Sequence, residues 1–95
     1  MRALITELEE IGMGGGHSDA SVLIRAKAIC LSLGREHVSW HYEIKSIEHY
    51  IDILYSERKH QPVPGGLEGA RSFVLGDCHR LRNKIAQHEL AHRKP

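Results

Sequence analysis

Two short patterns near the end of the chain contain most of the residues that could do chemistry, and they share His88. The first is residues 81–88, LRNKIAQH, and the second is residues 88–92, HELAH. An arginine and a histidine can act together on a phosphodiester without a metal, because an imidazole serves as a base and a guanidinium stabilises developing negative charge. Two histidines one helical turn apart, with a glutamate beside the first, resemble half of a zinc site in which the glutamate polarises a metal-bound water.

A long helix is predicted to position both patterns. Its apolar or adaptable residues recur every three or four positions, as one buried face of a helix requires. They are Leu67, Ala70, Val74, Cys78, Leu81 and Ile85, followed by His88 and His92. The spacing therefore predicts a helix near 67–92 in which the two histidines continue the core stripe.

Three more helices are predicted upstream, near 2–11, 19–33 and 39–57. Gly12 and Gly34 are placed to end the first two helices, while Ser18 or Asp19 caps the second and Ser39 caps the third. The second helix is apolar around more than half of its circumference, so we expect it to be the most buried of the set.

Glycine and proline separate these helices. Residues 12–16, GMGGG, are expected to form a flexible connection. A glycine run before a helix can also bind phosphate through its amides, but here no strand precedes the run and no Lys-Ser or Lys-Thr pair follows it. Residues 58–66 contain PVPGG, which excludes a helix. The chain is therefore predicted to be all-α, a single domain spanning 1–95 and folded as a four-helix bundle with up-and-down topology.

The composition agrees with packed helices and indicates a thin core. Of the 95 residues, 41% are hydrophobic but only 5% are aromatic, and a domain of this size buries only about two-thirds of its unfolded surface. A second subunit would add stability, so we expect a homodimer. Cys30 and Cys78 fall on apolar helix faces, no signal-peptide pattern is present, and no apolar run reaches the roughly 18 residues of a membrane span. These features predict a cytoplasmic protein with reduced thiols and no membrane partner.

The net charge is only +1, but the charges are distributed unevenly. Residues 36–57 contain five acidic residues and one lysine, whereas residues 71–95 contain six basic residues and two acidic ones. Either these two helices face each other and neutralise, or the last helix presents a basic surface that attracts a phosphate backbone. In the second case, the candidate nucleic-acid-binding residues are Arg80, Lys84 and Arg93.

The segment 81–89, LRNKIAQHE, resembles part of the HEPN domains, which are small all-helical bundles, often homodimers, found in RNA-cleaving toxins and in non-catalytic relatives. Members of that family carry an arginine, commonly followed by a polar residue such as asparagine, and then a histidine after a short spacer on a late helix. The resemblance implies that Arg82 and His88 form a catalytic pair, with Asn83 as its polar companion, and that the pair is completed across a dimer interface.

Three functions are consistent with these patterns. The first is a homodimeric interaction or RNA-binding module of HEPN-like type, without catalysis, whose partner is RNA or another protein. The second is a metal-independent ribonuclease that uses Arg82 and His88 from two subunits. Neither the interaction module nor the ribonuclease needs a cofactor. The third is a zinc-binding protein that uses His88 and His92, which is placed last because a catalytic zinc needs a third protein ligand and only three residues follow His92.

Overall fold

The structure of the protein is a computed structural model, and it describes residues 2–15, 17–36, 38–55 and 65–91. Four α-helices are present in these ranges: α1 (Arg2–Met13), α2 (Ala20–Glu36), α3 (His41–Tyr55) and α4 (Gly66–Ala91), with a 3-10 turn, Val38–Trp40, before α3. The described ranges contain no β-strand, which confirms the predicted all-α four-helix bundle. None of these helices combines the length and the apolar character that a membrane crossing requires.

Two predicted helix ends are wrong, because the glycine expected to stop each helix is part of it. α1 continues through Gly12 to Met13, and α2 continues through Gly34 to Glu36. A Cβ atom on Gly12 would lie 2.5 Å from Cγ1 of Val74, so this glycine lets α1 pack closely on α4. The predicted residues 56–57 of the third helix and residue 92 of the fourth lie outside the described residues.

The four helices run alternately up and down. The start of α2 meets the end of α3, where the Asp19 amide donates to the Tyr55 carbonyl at 2.9 Å. The start of α1 meets the end of α4, where the Arg2 guanidinium donates to the Glu89 carboxylate at 2.9 Å. α4 packs mainly against α3 and α1, and α2 packs mainly against α3 and α1, so α2 and α4 lie diagonally across the bundle from each other. This arrangement places the candidate residues of α4 on the side of the bundle away from α2.

The core is built from the aliphatic stripes that the sequence predicts. α4 contributes Ala70, Val74, Cys78, Leu81 and Ile85, all fully buried. The third-helix seam contributes Trp40, Ile44, Ile47, Ile51 and Leu54, all at most 4% exposed. Leu67, the first predicted core position of α4, is 42% exposed and lies outside the core.

The glycine-rich connection between α1 and α2 is packed against α3 and α4. The Arg71 guanidinium donates to the carbonyls of Gly14 at 2.9 Å and Gly15 at 3.3 Å, and the Tyr55 hydroxyl donates to the Ile11 carbonyl at 2.6 Å. Gly15 has a φ of 102°, and a Cβ there would lie 2.7 Å from a side-chain atom of α3. Gly14 and Gly15 therefore allow close packing and a left-handed turn, where a flexible connection was expected.

Asp19 caps α2, as one of the two predicted caps. Its Oδ1 accepts hydrogen bonds from the amides of Ser21 at 3.1 Å and Val22 at 3.3 Å, and from the Ser21 hydroxyl at 2.7 Å. The hydrogen bond from the Ser21 side chain, followed by the one from the Val22 amide, lowers the pKa of Asp19. The cap fixes where α2 begins, because it satisfies amides that have no partner inside the helix.

Candidate functional site

Arg82 and His88 leave α4 toward different neighbours. A helix turns by about 100° per residue, so six residues correspond to about 600° and separate the two side chains by about 120° around the axis. Arg82 contacts α1, whereas His88 contacts Trp40 in the 3-10 turn before α3. Within one chain, α4 therefore directs the two residues to different surroundings.

Arg82 is bound to two side chains of α1. Its Nη2 donates to Oγ1 of Thr6 and to Oε1 of Glu9, each at 2.6 Å. The hydrogen bond with Glu9 raises the pKa of Arg82. The Arg82 side chain is 32% exposed and that of Glu9 is 29% exposed, so the pair is half-buried between the two helices. This guanidinium links α4 to α1, and an incoming phosphate would have to compete with an existing carboxylate.

His88 is half-buried against the indole of Trp40. The two rings meet edge to face, with their centroids 6.1 Å apart and their planes at 84°. Trp40 is only 2% exposed and belongs to the core. The prediction that His88 continues the core stripe is therefore met in part, because His88 packs on the end of the core without being enclosed by it.

Asn83, the polar companion implied by the HEPN resemblance, is exposed on the surface of α4. Its Nδ2 lies 3.5 Å from Nε2 of His79, one turn earlier on the same helix. The side chain of Arg80 forms an ion pair with Asp77, and this hydrogen bond raises the pKa of Arg80. Among the described residues, the side-chain hydrogen bonds of Asn83 and Arg80 therefore run within α4 itself.

Two buried acidic residues at the α3–α4 contact were missed by the sequence analysis. Glu43 is 4% exposed, and its Oε1 forms an ion pair with Nζ of Lys84 at 2.7 Å. Asp77 is 1% exposed, and it accepts hydrogen bonds from the Ser46 hydroxyl and the Arg80 guanidinium. The signal was their spacing: each acid falls three residues after a core position, namely Trp40 or Val74, on the stripe that faces the neighbouring helix.

The basic surface predicted for α4 is neutralised by ion pairs. Every arginine and lysine in the described helix, from Gly66 to Ala91, has a carboxylate partner: Arg71 with Glu68, Arg80 with Asp77, Arg82 with Glu9, and Lys84 with Glu43. Lys84 also donates to the Ser39 carbonyl at 3.2 Å. The predicted neutralisation between the third and fourth helices holds for one of these pairs, Lys84 with Glu43. The other carboxylates come from α4 itself and from α1. Arg93, the third predicted nucleic-acid-binding residue, lies outside the described residues.

The HELAH pattern is only partly visible, because His92 lies outside the described residues. Glu89, which would polarise a metal-bound water, accepts a hydrogen bond from Arg2 at 2.9 Å. In the ranges that the structure describes, no three His, Cys, Asp or Glu side chains are grouped as a metal would require.

α2 carries an apolar surface that the bundle leaves uncovered. Ile24 is 70% exposed and Leu31 is 59% exposed, and the two lie two turns apart on the same side of the helix. Only four of the 17 residues of α2 are buried, whereas six of the 15 residues of α3 are buried. The prediction that α2 is the most buried helix is therefore wrong for the single chain, because part of its apolar circumference faces outward.

Comparison of the chain with protein-family models, with curated proteins and with solved structures gave no match. On α4, the cations of the described residues are paired, Arg82 is bound to α1, and His88 packs on Trp40. On α2, an apolar surface is left uncovered.

Proposed function

We propose that the protein is a non-catalytic, homodimeric interaction module of HEPN-like type. The observation that carries this proposal is the outward apolar surface of α2, where Ile24 and Leu31 are more than half exposed on one side of a helix. An exposed apolar surface on a small domain is typical of a site for protein contact. The remaining support comes from the state of the candidate catalytic residues.

The placement of Arg82 favours a structural role over catalysis. A ribonuclease arginine must reach the phosphate whose negative charge it stabilises, whereas the Arg82 guanidinium is held by Glu9 and Thr6 at 2.6 Å. His88 packs on Trp40, on a side of α4 about 120° away. Catalysis by this pair would require breaking the Arg82–Glu9 contact and supplying one residue from each subunit.

The ion pairs of α4 also favour a protein partner over RNA. Nucleic-acid binding depends on cations that replace the counterions of the phosphate backbone. Arg80 and Lys84, both predicted to bind RNA, are each engaged with a buried carboxylate. Transferring either cation to a phosphate would leave the carboxylate of Asp77 or Glu43 buried without a cation beside it, which is costly.

The proposed location is the cytoplasm. Cys30 and Cys78 are both buried, each at most 1% exposed, and neither forms a disulfide. Burial raises the pKa of each thiol to about 12. Two unpaired cysteines with a structural role are typical of reducing compartments.

Light scattering and RNA assays on the purified full chain test the proposal. We expect a particle with twice the monomer mass of 10.7 kDa, no cleavage of a labelled single-stranded RNA, and no RNA binding at physiological salt. A monomer at all accessible concentrations would contradict the homodimer. RNA cleavage that is lost in both Arg82→Ala and His88→Ala would contradict the non-catalytic assignment and would establish the ribonuclease instead.

A further inference from the structure

We infer that the dimer forms through α2, with the apolar ridge of each copy seated in the α2–α3 groove of the other. This inference rests on the proposed homodimer and identifies the surface that makes it. The ridge is defined by Ile24, Ala28 and Leu31, which lie on one side of α2 at spacings of four and three residues. The partner is a second copy of this chain.

The groove lies immediately beside the ridge. It has a volume of about 260 Å³ and runs between α2 and α3, with apolar walls that include Leu23, Ile24 and Ile51. Lys27, Glu48 and Asp52 also line it. A ridge and a groove on the same side of one chain make that side self-complementary, which is what an interface related by a two-fold axis requires.

An antiparallel crossing of two α2 helices brings the matching parts together. If the two-fold axis passes beside Ala28, Leu31 of the second copy lies against Ile24 and enters the groove next to it, and the reciprocal contact follows by symmetry. Ala28 then lies beside its own counterpart, where a small exposed side chain allows the two helices to approach closely.

One oppositely charged pair on this surface, Arg35 and Asp52, is matched by the same two-fold axis. Arg35 is exposed in the last turn of α2, one turn beyond Leu31, so the antiparallel crossing carries it past Ile24 toward the opposite end of the groove. Ala20, at the start of α2, and Asp52, near the end of α3, both line the groove, and these two helix ends meet. Each copy therefore directs a cation toward an acidic residue of the other, which favours a second copy over an unrelated apolar partner.

The inference predicts a different dimer from the one that the HEPN resemblance implies. α4 lies diagonally across the bundle from α2, so an α2-mediated dimer keeps the Arg82 and His88 residues of the two copies on outer surfaces. A dimer with a composite catalytic site would instead join the copies near α4.

Substitution of one ridge leucine and one matched surface leucine tests the interface. Leu31→Glu places a carboxylate on the ridge, opposite a groove that already contains Glu48 and Asp52, and we expect it to raise the dimer dissociation constant by about 100-fold or more. Leu90→Glu is the control, because Leu90 is also exposed, at 70%, but lies on α4. It should leave the dissociation constant unchanged, and circular dichroism should show both variants folded.

Cysteine cross-linking provides a second readout that does not depend on weakening the dimer. Ala28→Cys should give a rapidly oxidised, disulfide-linked dimer, whereas Ala86→Cys, an exposed alanine one turn after Arg82 on α4, should not. If the wild type is a dimer but only Ala86→Cys cross-links, or Leu31→Glu stays dimeric, the α2 interface is wrong and the homodimer stands. If the wild type is a monomer, the proposed function and the interface both fail.

Discussion

Loss of the ion pair between Lys84 and Glu43 should lower the stability of the fold, because Glu43 is buried and Lys84 is partly exposed. The Glu43 side chain is 5% exposed and the Lys84 side chain is 40% exposed, with Nζ and Oε1 2.7 Å apart. The second carboxylate oxygen of Glu43, Oε2, is buried and has no hydrogen-bond partner among the described residues. Lys84→Met removes the cation while keeping a side chain of similar length, and so leaves a carboxylate between α3 and α4 without its ion pair.

The cost follows from the burial of the two groups. Removing one partner of a fully buried ion pair costs about 3–5 kcal/mol. Lys84 is 40% exposed, so water can approach the vacated position, and we expect about 2–3 kcal/mol. The stability of a domain of 95 residues is about 5–14 kcal/mol at the usual value per residue. Lys84→Met should therefore lower the melting temperature by about 10–20 °C.

Urea unfolding followed by circular dichroism measures this cost, with the dimer fraction held constant between variants. Glu43→Leu combined with Lys84→Met replaces both charges by apolar groups and should recover most of the lost free energy, because no buried charge is left unpaired. Lys45→Met is the control: Lys45 pairs with Glu48 at 3.8 Å on the surface of α3, and its loss should cost less than about 0.5 kcal/mol. If Lys84→Met costs no more than Lys45→Met, the ion pair with the buried Glu43 carboxylate does not stabilise the fold.

Three further predictions follow from the structure. Arg82→Ala and Glu9→Ala should show a coupling free energy of about 0.5–1 kcal/mol in a double-mutant cycle; no coupling would mean that Arg82 is available for another partner. Gly15→Ala should destabilise the fold by about 2 kcal/mol or more, because Gly15 has a φ of 102° and a Cβ there would lie 2.7 Å from Leu54. Gly34→Ala is the control: a Cβ on Gly34 has its nearest contact at 3.9 Å, so this change should stabilise α2 by up to about 1 kcal/mol. Equal effects of the two changes in urea unfolding would contradict the packing of the loop. Burial raises the pKa of Cys30 from 9.0 to about 12, so the thiol ionises at lower pH in the unfolded chain than in the folded one. The free energy of unfolding should therefore fall as pH rises from 9 toward 12, by up to about 1.4 kcal/mol per pH unit. Cys30→Ala should remove this contribution to the pH dependence of stability, and an unchanged pH dependence would refute the role of Cys30.

The helices could be predicted from the sequence because their core positions repeat at helical spacing. The series from Ala70 to Ile85 and the seam from Trp40 to Leu54 are both buried as predicted, since an apolar stripe must be covered somewhere in the molecule. Glu43 and Asp77 were not predicted to be buried, although their positions have the same helical spacing as the core residues. Their residue types indicate exposure, and only the neighbouring helix provides the Lys84 and Ser46 contacts that allow them to be buried.

Glycine could not be interpreted from the sequence alone. Gly12 and Gly34 look alike as helix stops, yet both lie inside helices, and their surroundings differ. A Cβ on Gly12 would collide with Val74, whereas one on Gly34 would have ordinary contacts. A glycine that ends a helix and one that permits close packing have the same side chain, so only the position of the neighbouring helix distinguishes them.

The candidate site could likewise be predicted only in part from the sequence. The sequence placed Arg82 and His88 on one helix, as the structure does, but it could not indicate that Glu9 of α1 would bind the arginine. That contact depends on which helix packs beside α4. The same packing leaves α2 on the opposite side of the bundle with Ile24 and Leu31 uncovered. A dimer that covers those residues would hold the two α4 helices apart. Arg82 of one copy would then not meet His88 of the other. The engaged state of Arg82 and the uncovered state of α2 are therefore two consequences of one helix arrangement, and both favour assembly over catalysis.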